Sequence, residues 1–264
     1  MSIHTEGQVD PEGLRSVQQL LQDGLIGSAQ YCQQTQSTNS DAADDDSPTH
    51  KLPKLYIADQ QRSGRGRHGR TWLSDHGTLT FTLAIELSNH ADVVPFPLPL
   101  AVGIGIAQAI EFEWAPLRCS LKWPNDVYVA GGKVAGILCE TTPRTRGVAL
   151  IGIGINVATS PDASHLPEDY PVSDLSTATR RCVDRYQVLA PVVRAVLEVV
   201  SESRQSDHGL ANRFRSRCRL TGTNVRCQQN TEVVHGVCQG ISDTGALRLQ
   251  TVGGPVECHS GTIQ

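Results

Sequence analysis

Closely spaced cysteine pairs, long apolar runs and an excess of positive charge are all missing from this chain of 264 residues. Its 8 cysteines are scattered as Cys32, Cys119, Cys139, Cys182, Cys218, Cys227, Cys238 and Cys258. None forms a Cys-x-x-Cys pair, so neither a zinc motif nor a redox motif is indicated. Free thiols in a reducing cytoplasm are expected, serving as small apolar filler. No apolar run has the character of a secretory leader, and none approaches membrane-spanning length, so no membrane partner is expected. A formal net charge of −4 weighs against a dedicated nucleic-acid-binding protein, because such domains carry surplus Lys and Arg. A hydrophobic content of 39% and a charged content of 19% are those of a globular chain, and the length permits one or two domains. No internal repeat is visible.

Against this mildly acidic background stands one local basic segment, Gln60-Gln61-Arg62-Ser63-Gly64-Arg65-Gly66-Arg67-His68-Gly69-Arg70-Thr71-Trp72. Glycine leaves backbone N–H groups unobstructed, and arginine offers a planar fork that matches carboxylate and phosphate oxygens. Together they predict a mobile cationic loop able to close over an anion. Similar composition also serves single-stranded nucleic acid binding without a pocket.

Hydrophobic periodicity predicts an α+β chain. Residues 1–10 show no pattern and read as untethered. Leu14, Val17, Leu20, Leu21 and Leu25 have helical spacing. Ser28 to Gln36 reads as an edge strand that delivers Ser37-Thr38-Asn39 to its end. The acidic stretch from Asp41 to His50 reads as a solvated loop rather than a metal site. Lys54 to Ala58 is a strand. Leu79, Phe81, Leu83 and Ile85 alternate with smaller residues, as in a half-buried strand. Pro99 to Phe112 is a core helix despite Gly103 and Gly105. Strands flank a Pro124-Asn125-Asp126 turn, Gly131-Gly132 makes a second turn, and Val134 to Glu140 and Val148 to Ile155 are further strands. Val188 to Val200 is helical, with Pro191 in its first turns or at a kink. From Arg215 onward, short apolar segments separated by glycines predict a small all-β barrel. The boundaries expected are 1–214 and 215–264.

Further motifs frame the arginine segment: Ser37-Thr38-Asn39, Leu121-Lys122-Trp123-Pro124-Asn125-Asp126, Lys133-Val134-Ala135-Gly136-Ile137-Leu138 and Gly152-Ile153-Gly154-Ile155-Asn156. Taken singly, each has a structural explanation. Ser37-Thr38-Asn39 would cap a helix, Lys133 would be a surface lysine beside a hairpin, Trp72 would be core, and the strand glycines would mark a bulge. As an ordered series they resemble the biotin protein ligases, from about Leu14 to the C-terminus.

That resemblance implies a mixed-sheet catalytic domain with helices packed on it, followed by a small SH3-like barrel. It implies ATP-dependent activation of biotin as biotinyl-5′-AMP, with Mg²⁺, then transfer to a lysine of a biotin carrier protein of acetyl-CoA carboxylase. Ser37, Thr38, Asn39, Gln61, Gly64, Arg65, Arg67, Lys133, Gly136 and Gly152 match biotin-contacting positions. Arg67, Trp72, Lys122, Asn125, Asp126 and Asn156 match ATP-contacting ones, and Lys133, Arg67, Lys122 and Asp126 are the candidate catalytic groups. No dedicated protein metal site is expected. His68 stands at the variable position of the loop pattern. Some members carry an N-terminal helix-turn-helix that represses transcription. Only 36 residues precede Ser37 here, so no DNA partner is expected. The acidic stretch 41–48 stands where the family often has regular helix. A monomer and a homodimer are both compatible with the pattern. A lipoate- or octanoyl-type protein ligase and a non-enzymatic nucleic-acid binder using the Gly-Arg loop are the alternatives.

Overall fold

Proline at its first position and a cap from Asp10, whose Oδ1 accepts from Glu12 N at 2.9 Å, start the first helix, α1 (Pro11–Gln22). Val17, Leu20 and Leu21 form its buried stripe, as their spacing predicts. The computed structural model describes residues 2–45, 51–87, 96–141, 143, 147–158, 171–203, 209–229 and 231–264. The part of the expected acidic loop at 46–50 lies outside them. Two compact units emerge, Met1–Asn89 with Val129–Arg194 and His90–Tyr128 with Ala195–Gln264.

The first unit is built on a mixed sheet. Its strands β1 (Ser2–Glu6), β2 (Ser28–Thr35), β3 (Lys54–Gln61), β6 (Thr78–Glu86), β10 (Val148–Asn156) and β9 (Gly132–Glu140) lie in the order β1-β2-β3-β6-β10-β9. β1, β2 and β3 are parallel, and the remaining pairs are antiparallel. Helix α2 (Thr38–Asp44) lies on one face, where Ala42 packs with Tyr56, Ala84, Val148 and Leu150. Between β3 and β6, the strands β4 (Gly64–Arg65) and β5 (Thr71–Trp72) make a small hairpin around a 3₁₀ turn, Arg67–Gly69. A short helix, α4 (Leu175–Thr179), is capped by Asp174. The next, α5 (Arg185–Glu202), begins in this unit and continues into the other.

A buried polar cluster anchors the start of α5. The Asp59 carboxylate accepts from Tyr31 OH at 2.5 Å and from Tyr186 OH, and lies 3.4 Å from Arg185 Nη2. Burial, together with the adjoining carboxylate, pushes both phenols well above their ordinary range, so they act as fixed donors.

The second unit holds α3 (Leu98–Glu113), β7 (Cys119–Lys122), the start of β8 (Asp126–Val129), the end of α5 and α6 (Gly209–Arg215). Gly105 is needed where α3 meets α5, because a Cβ there would lie 2.9 Å from Val196 Cα. A five-stranded antiparallel sheet follows, formed by β11 (Asn224–Gln229), β12 (Glu232–Ile241), β13 (Leu247–Thr251), β14 (Gly254–Cys258) and β15 (Thr262–Ile263). Its strand order is β14-β13-β12-β11-β15.

Four sequence expectations are corrected. Residues 2–6 are not untethered but form β1, which pairs with β2 from Ser2↔Ser28 to Glu6↔Cys32. Backbone pairing holds this segment, and only Ile3 is apolar, so periodicity gave no signal. β2 is therefore internal rather than an edge. Asp41 to Asp44 are helical, extending α2, with Asp41 accepting from Thr35 Oγ1 at 2.8 Å. β6 is buried along both faces except at Glu86, because α2 covers the face that alternation left to solvent.

Candidate functional site

Cross-strand register brings three glycines together on one face of the sheet. Gly154 pairs with Gly136 on one side and Thr80 on the other, and Gly152 pairs with Leu138 and Thr82. Alternation along strands places Gly136, Gly152, Gly154, Thr80 and Thr82 on the face that α2 covers.

The start of α2 forms one wall. Ser37, Thr38 and Asn39 are all buried. Ser37 sits at the cap position but makes no side-chain capping bond, so the capping explanation of this motif does not hold. Thr38 N and Oγ1 instead donate to Gln61 Oε1 at 2.8 and 3.2 Å, leaving the amide nitrogen of Gln61 beside Gly64. Asn39 is fixed at both ends. Its Oδ1 accepts from Thr82 Oγ1 at 2.6 Å, while its Nδ2 donates to Glu140 Oε2 at 2.7 Å and Leu138 O at 3.3 Å. A Cβ on Gly152 would lie only 2.1 Å from Asn39 Oδ1, so the amide rests directly on the sheet.

The arginine hairpin forms the other wall. It is regular rather than shapeless: Gly64 pairs with Trp72 and Arg65 with Thr71, and Gly66 N donates to Arg70 O at 2.7 Å. His68 and Gly69 both take positive φ, 55° and 73°, to turn the chain. Trp72 lies across the paired glycines. A Cβ on Gly154 would come within 2.3 Å of its Cε2, and one on Gly136 within 3.1 Å of its Cζ3. Its Nε1 is buried with no hydrogen-bond partner. Such an orphan donor costs about 1–3 kcal/mol unless something accepts from it, which marks this slot as a place for a ligand.

Lys133 completes the constellation. Its Nζ stands 5.7 Å from the centroid of the Trp72 ring, and its backbone is locked between Pro171 O, 2.7 Å from its N, and Ser173 N, 3.0 Å from its O. Asn156, expected at the nucleotide, is buried and donates from Nδ2 to Lys133 O at 3.3 Å and Ser173 O at 3.2 Å. It holds the lysine's strand in place. Arg67 is half-buried in the 3₁₀ turn. Arg65 is not a spare cation: its Nη2 lies 2.8 Å from Glu140 Oε2, the same oxygen that accepts from Asn39.

The first unit thus gathers Ser37, Thr38, Asn39, Gln61, Gly64, Arg65, Arg67, Trp72, Lys133, Gly136, Gly152 and Asn156. Lys122, Asn125 and Asp126 belong to the second unit, half-buried at the end of β7 and the start of β8. Trp123 beside them is core, donating from Nε1 to Gly245 O at 3.1 Å. Sequence inspection missed Glu140 and Thr82. Both could have been found by alternation, since Glu140 shares a face with Gly136, and Thr82 with Thr80. Among the described residues no three His, Cys, Asp or Glu side chains cluster to hold a metal ion. No described helix is long and apolar enough to cross a membrane.

Paired glycines beside Thr80 and Thr82, the buried start of α2 and a lysine next to the arginine hairpin make up the candidate site of this α+β protein. The chain matches the biotin/lipoate A/B protein ligase family over residues 30–157 and the biotin protein ligase C terminal domain over residues 221–264. It belongs to this ligase family. It is 31% identical to the biotin--[acetyl-CoA-carboxylase] ligase of Paracoccus denitrificans over 82% of this chain and 91% of that one. It is likewise 31% identical to the enzyme of the same name from Mycobacterium tuberculosis, over 92% and 93% of the two chains. Among solved structures, the biotin protein ligase from Aquifex aeolicus in complex with biotin and ATP superposes with a TM-score of 0.76 at 28% identity, covering 89% of this chain and 97% of that one.

Proposed function

We propose that this chain is an ATP-dependent biotin protein ligase. The biotin carboxylate attacks the α-phosphorus of ATP, forming biotinyl-5′-AMP and releasing pyrophosphate. The amine of a carrier lysine then attacks the activated carbonyl and releases AMP. The carrier is the biotin-bearing subunit of acetyl-CoA carboxylase, the enzyme for which the Paracoccus denitrificans and Mycobacterium tuberculosis relatives are named. The observation that carries this assignment is the packing of Trp72 and Lys133 over the paired glycines Gly136 and Gly154, beside the Asn39 amide on Gly152. A ureido group, with donors and an acceptor, suits the Ser37, Thr38, Asn39 and Gln61 end.

Charge governs the rest. Lys133 and Arg67 offset the repulsion between a carboxylate and a triphosphate, and their attraction grows as negative charge gathers on the phosphoryl oxygens. Backbone groups of Gly64 and Arg65 line the hairpin side, with Gly136 and Gly152 beneath. Trp72 meets the adenine and its orphan Nε1 finds an acceptor there. Closure of the hairpin keeps water from an acyl-adenylate that would otherwise hydrolyse. Lys122, Asn125, Asp126 and Asn156 are assigned to the nucleotide on the family pattern. Asp126 would hold a Mg²⁺ carried by the triphosphate, and the ion would offset charge on the phosphate oxygens. That fits the habit of this ion, which keeps several waters and takes one or two carboxylates besides phosphate oxygens.

Residues 1–214 form the catalytic part and 215–264 an appended SH3-like barrel. The enzyme works in the cytoplasm, as a monomer or homodimer, without a DNA partner. Incubation with labelled biotin, ATP and a biotin carrier domain tests the assignment. Label transferred to the carrier lysine, dependent on ATP, is expected. Transfer of lipoate but not biotin, or no transfer at all, would overturn it.

A further inference from the structure

One carboxylate at the end of β9 touches both walls of the site. Glu140 is the last residue of that strand, where it pairs with Leu150, and alternation puts its side chain on the face of Gly136 and Leu138. Its Oε2 accepts from Asn39 Nδ2 at 2.7 Å, on the α2 wall, and from Arg65 Nη2 at 2.8 Å, on the hairpin wall. The Asn39 Nδ2 also donates to Leu138 O at 3.3 Å, and its Oδ1 accepts from Thr82 Oγ1 at 2.6 Å. A carboxylate and a carbonyl can only accept, so these partners decide which end of the amide faces β9. The hairpin joins the same network at its root. Arg62 N donates to Thr35 O and Ser63 N to Gln36 O, both at 2.9 Å, and Ser63 Oγ donates to Gln36 Oε1 at 3.0 Å. Those bonds attach the root to the residues that lead into Ser37-Thr38-Asn39. Arg65 lies beyond the root and reaches across to β9 instead.

We propose that Glu140 is a positioning residue that couples the two walls of the site, holding the Asn39 amide in its orientation and Arg65 against the sheet with one oxygen. It acts through those two side chains and not on the reacting atoms. The identity of the ligand, biotin, rests on the ligase reading; the coupling itself does not.

The two contacts differ in strength. The side chains of Arg65 and Glu140 are 45% and 30% exposed, so water and salt screen their attraction. Asn39 is 4% exposed, and its bond to the same oxygen is charge-assisted in a setting that water does not reach. Neutralising residue 140 should therefore loosen the grip on biotin about fivefold and speed escape of the adenylate about twofold. Because no reacting atom is touched, turnover at saturating biotin should change little.

The test compares the whole chain with Glu140→Gln, Glu140→Asp and Arg65→Gln. Hydrogen exchange of the ligand-free protein reads the coupling directly. In Glu140→Gln, amides on both walls should exchange about fivefold faster, namely Gly66, whose N donates to Arg70 O, and Asp41, whose N donates to Ser37 O. Amides of α1 should keep their wild-type rates. Glu140→Asp keeps the charge but draws it back by about 1.5 Å, so it should behave as Glu140→Gln does. Arg65→Gln should speed exchange in the hairpin and leave Asp41 as it was. Biotin titration should show the fivefold loss in Glu140→Gln, and the double variant Glu140→Gln with Arg65→Gln should lose adenylate no faster than the leakier single variant. Faster exchange on one wall alone in Glu140→Gln, on neither, or throughout the molecule would overturn the proposal. So would additive leakage in the double variant. Failure of the wild-type protein to bind biotin would overturn the ligase reading instead, and the exchange rates would still decide whether Glu140 couples the walls.

Discussion

Gly152→Ala is the sharpest probe of the pocket, because its effect is steric and its neighbour is fixed. The new methyl carbon would lie 2.1 Å from Asn39 Oδ1 and 2.8 Å from its Cγ. Relief to van der Waals distance requires the amide to retreat by about 1 Å or more. Asn39 is tied to Thr82 Oγ1 at 2.6 Å and Glu140 Oε2 at 2.7 Å, and such a retreat breaks both bonds. A neutral hydrogen bond contributes about 0.5–1.5 kcal/mol and one to a charged group about 1.5–3, so the loss is about 2–4 kcal/mol. If Asn39 reads the biotin head group, biotin affinity should fall roughly 30-fold or more. Calorimetric titration with biotin and urea unfolding measure the two consequences separately. Adding Asn39→Ala to Gly152→Ala removes the collision, so stability should recover in part while biotin affinity does not. Wild-type affinity and stability in Gly152→Ala would refute the fixed placement of Asn39. Restored affinity in the double variant would show that Asn39 only obstructs the site.

Lys133→Ala should slow adenylate formation by about 2–4 kcal/mol in barrier while weakening biotin binding far less, as for a group whose contact strengthens with developing charge. Lys133→Arg should not fully rescue, and synthetic biotinyl-5′-AMP separates the half-reactions; a normal rate of adenylate formation in Lys133→Ala would make the residue structural. Arg67→Ala should loosen the adenylate by about 1.5–3 kcal/mol through loss of a charge-assisted contact, seen as leakage of biotinyl-5′-AMP on rapid gel filtration. Unchanged leakage would remove Arg67 from the clamp. Glu140→Gln keeps the size but not the charge of the group shared by Asn39 and Arg65. It should raise the KM for biotin several-fold with little change in kcat, and trypsin should cut the hairpin faster; equal KM and equal cleavage would show that Glu140 is not a tie.

The sequence by itself determined the local features, because they are properties of neighbouring residues. The stripe of α1, the turn of Gly131 and the glycines of β10 all follow from period or backbone freedom, and each lies where that pattern put it. Residue types also announced the pocket's chemistry: short polar groups at Ser37-Thr38-Asn39, arginines with glycines, and a lysine ahead of a glycine strand. Tertiary structure alone decided who meets whom. Strand order and register set Gly136 opposite Gly154, laid Trp72 across both, and made Glu140 the shared partner of Asn39 and Arg65. It also gave polar residues 2–6 a place beside β2. Periodicity records which way a side chain faces but not which distant segment lies across from it. That choice is made by pairing and burial summed over the whole sheet.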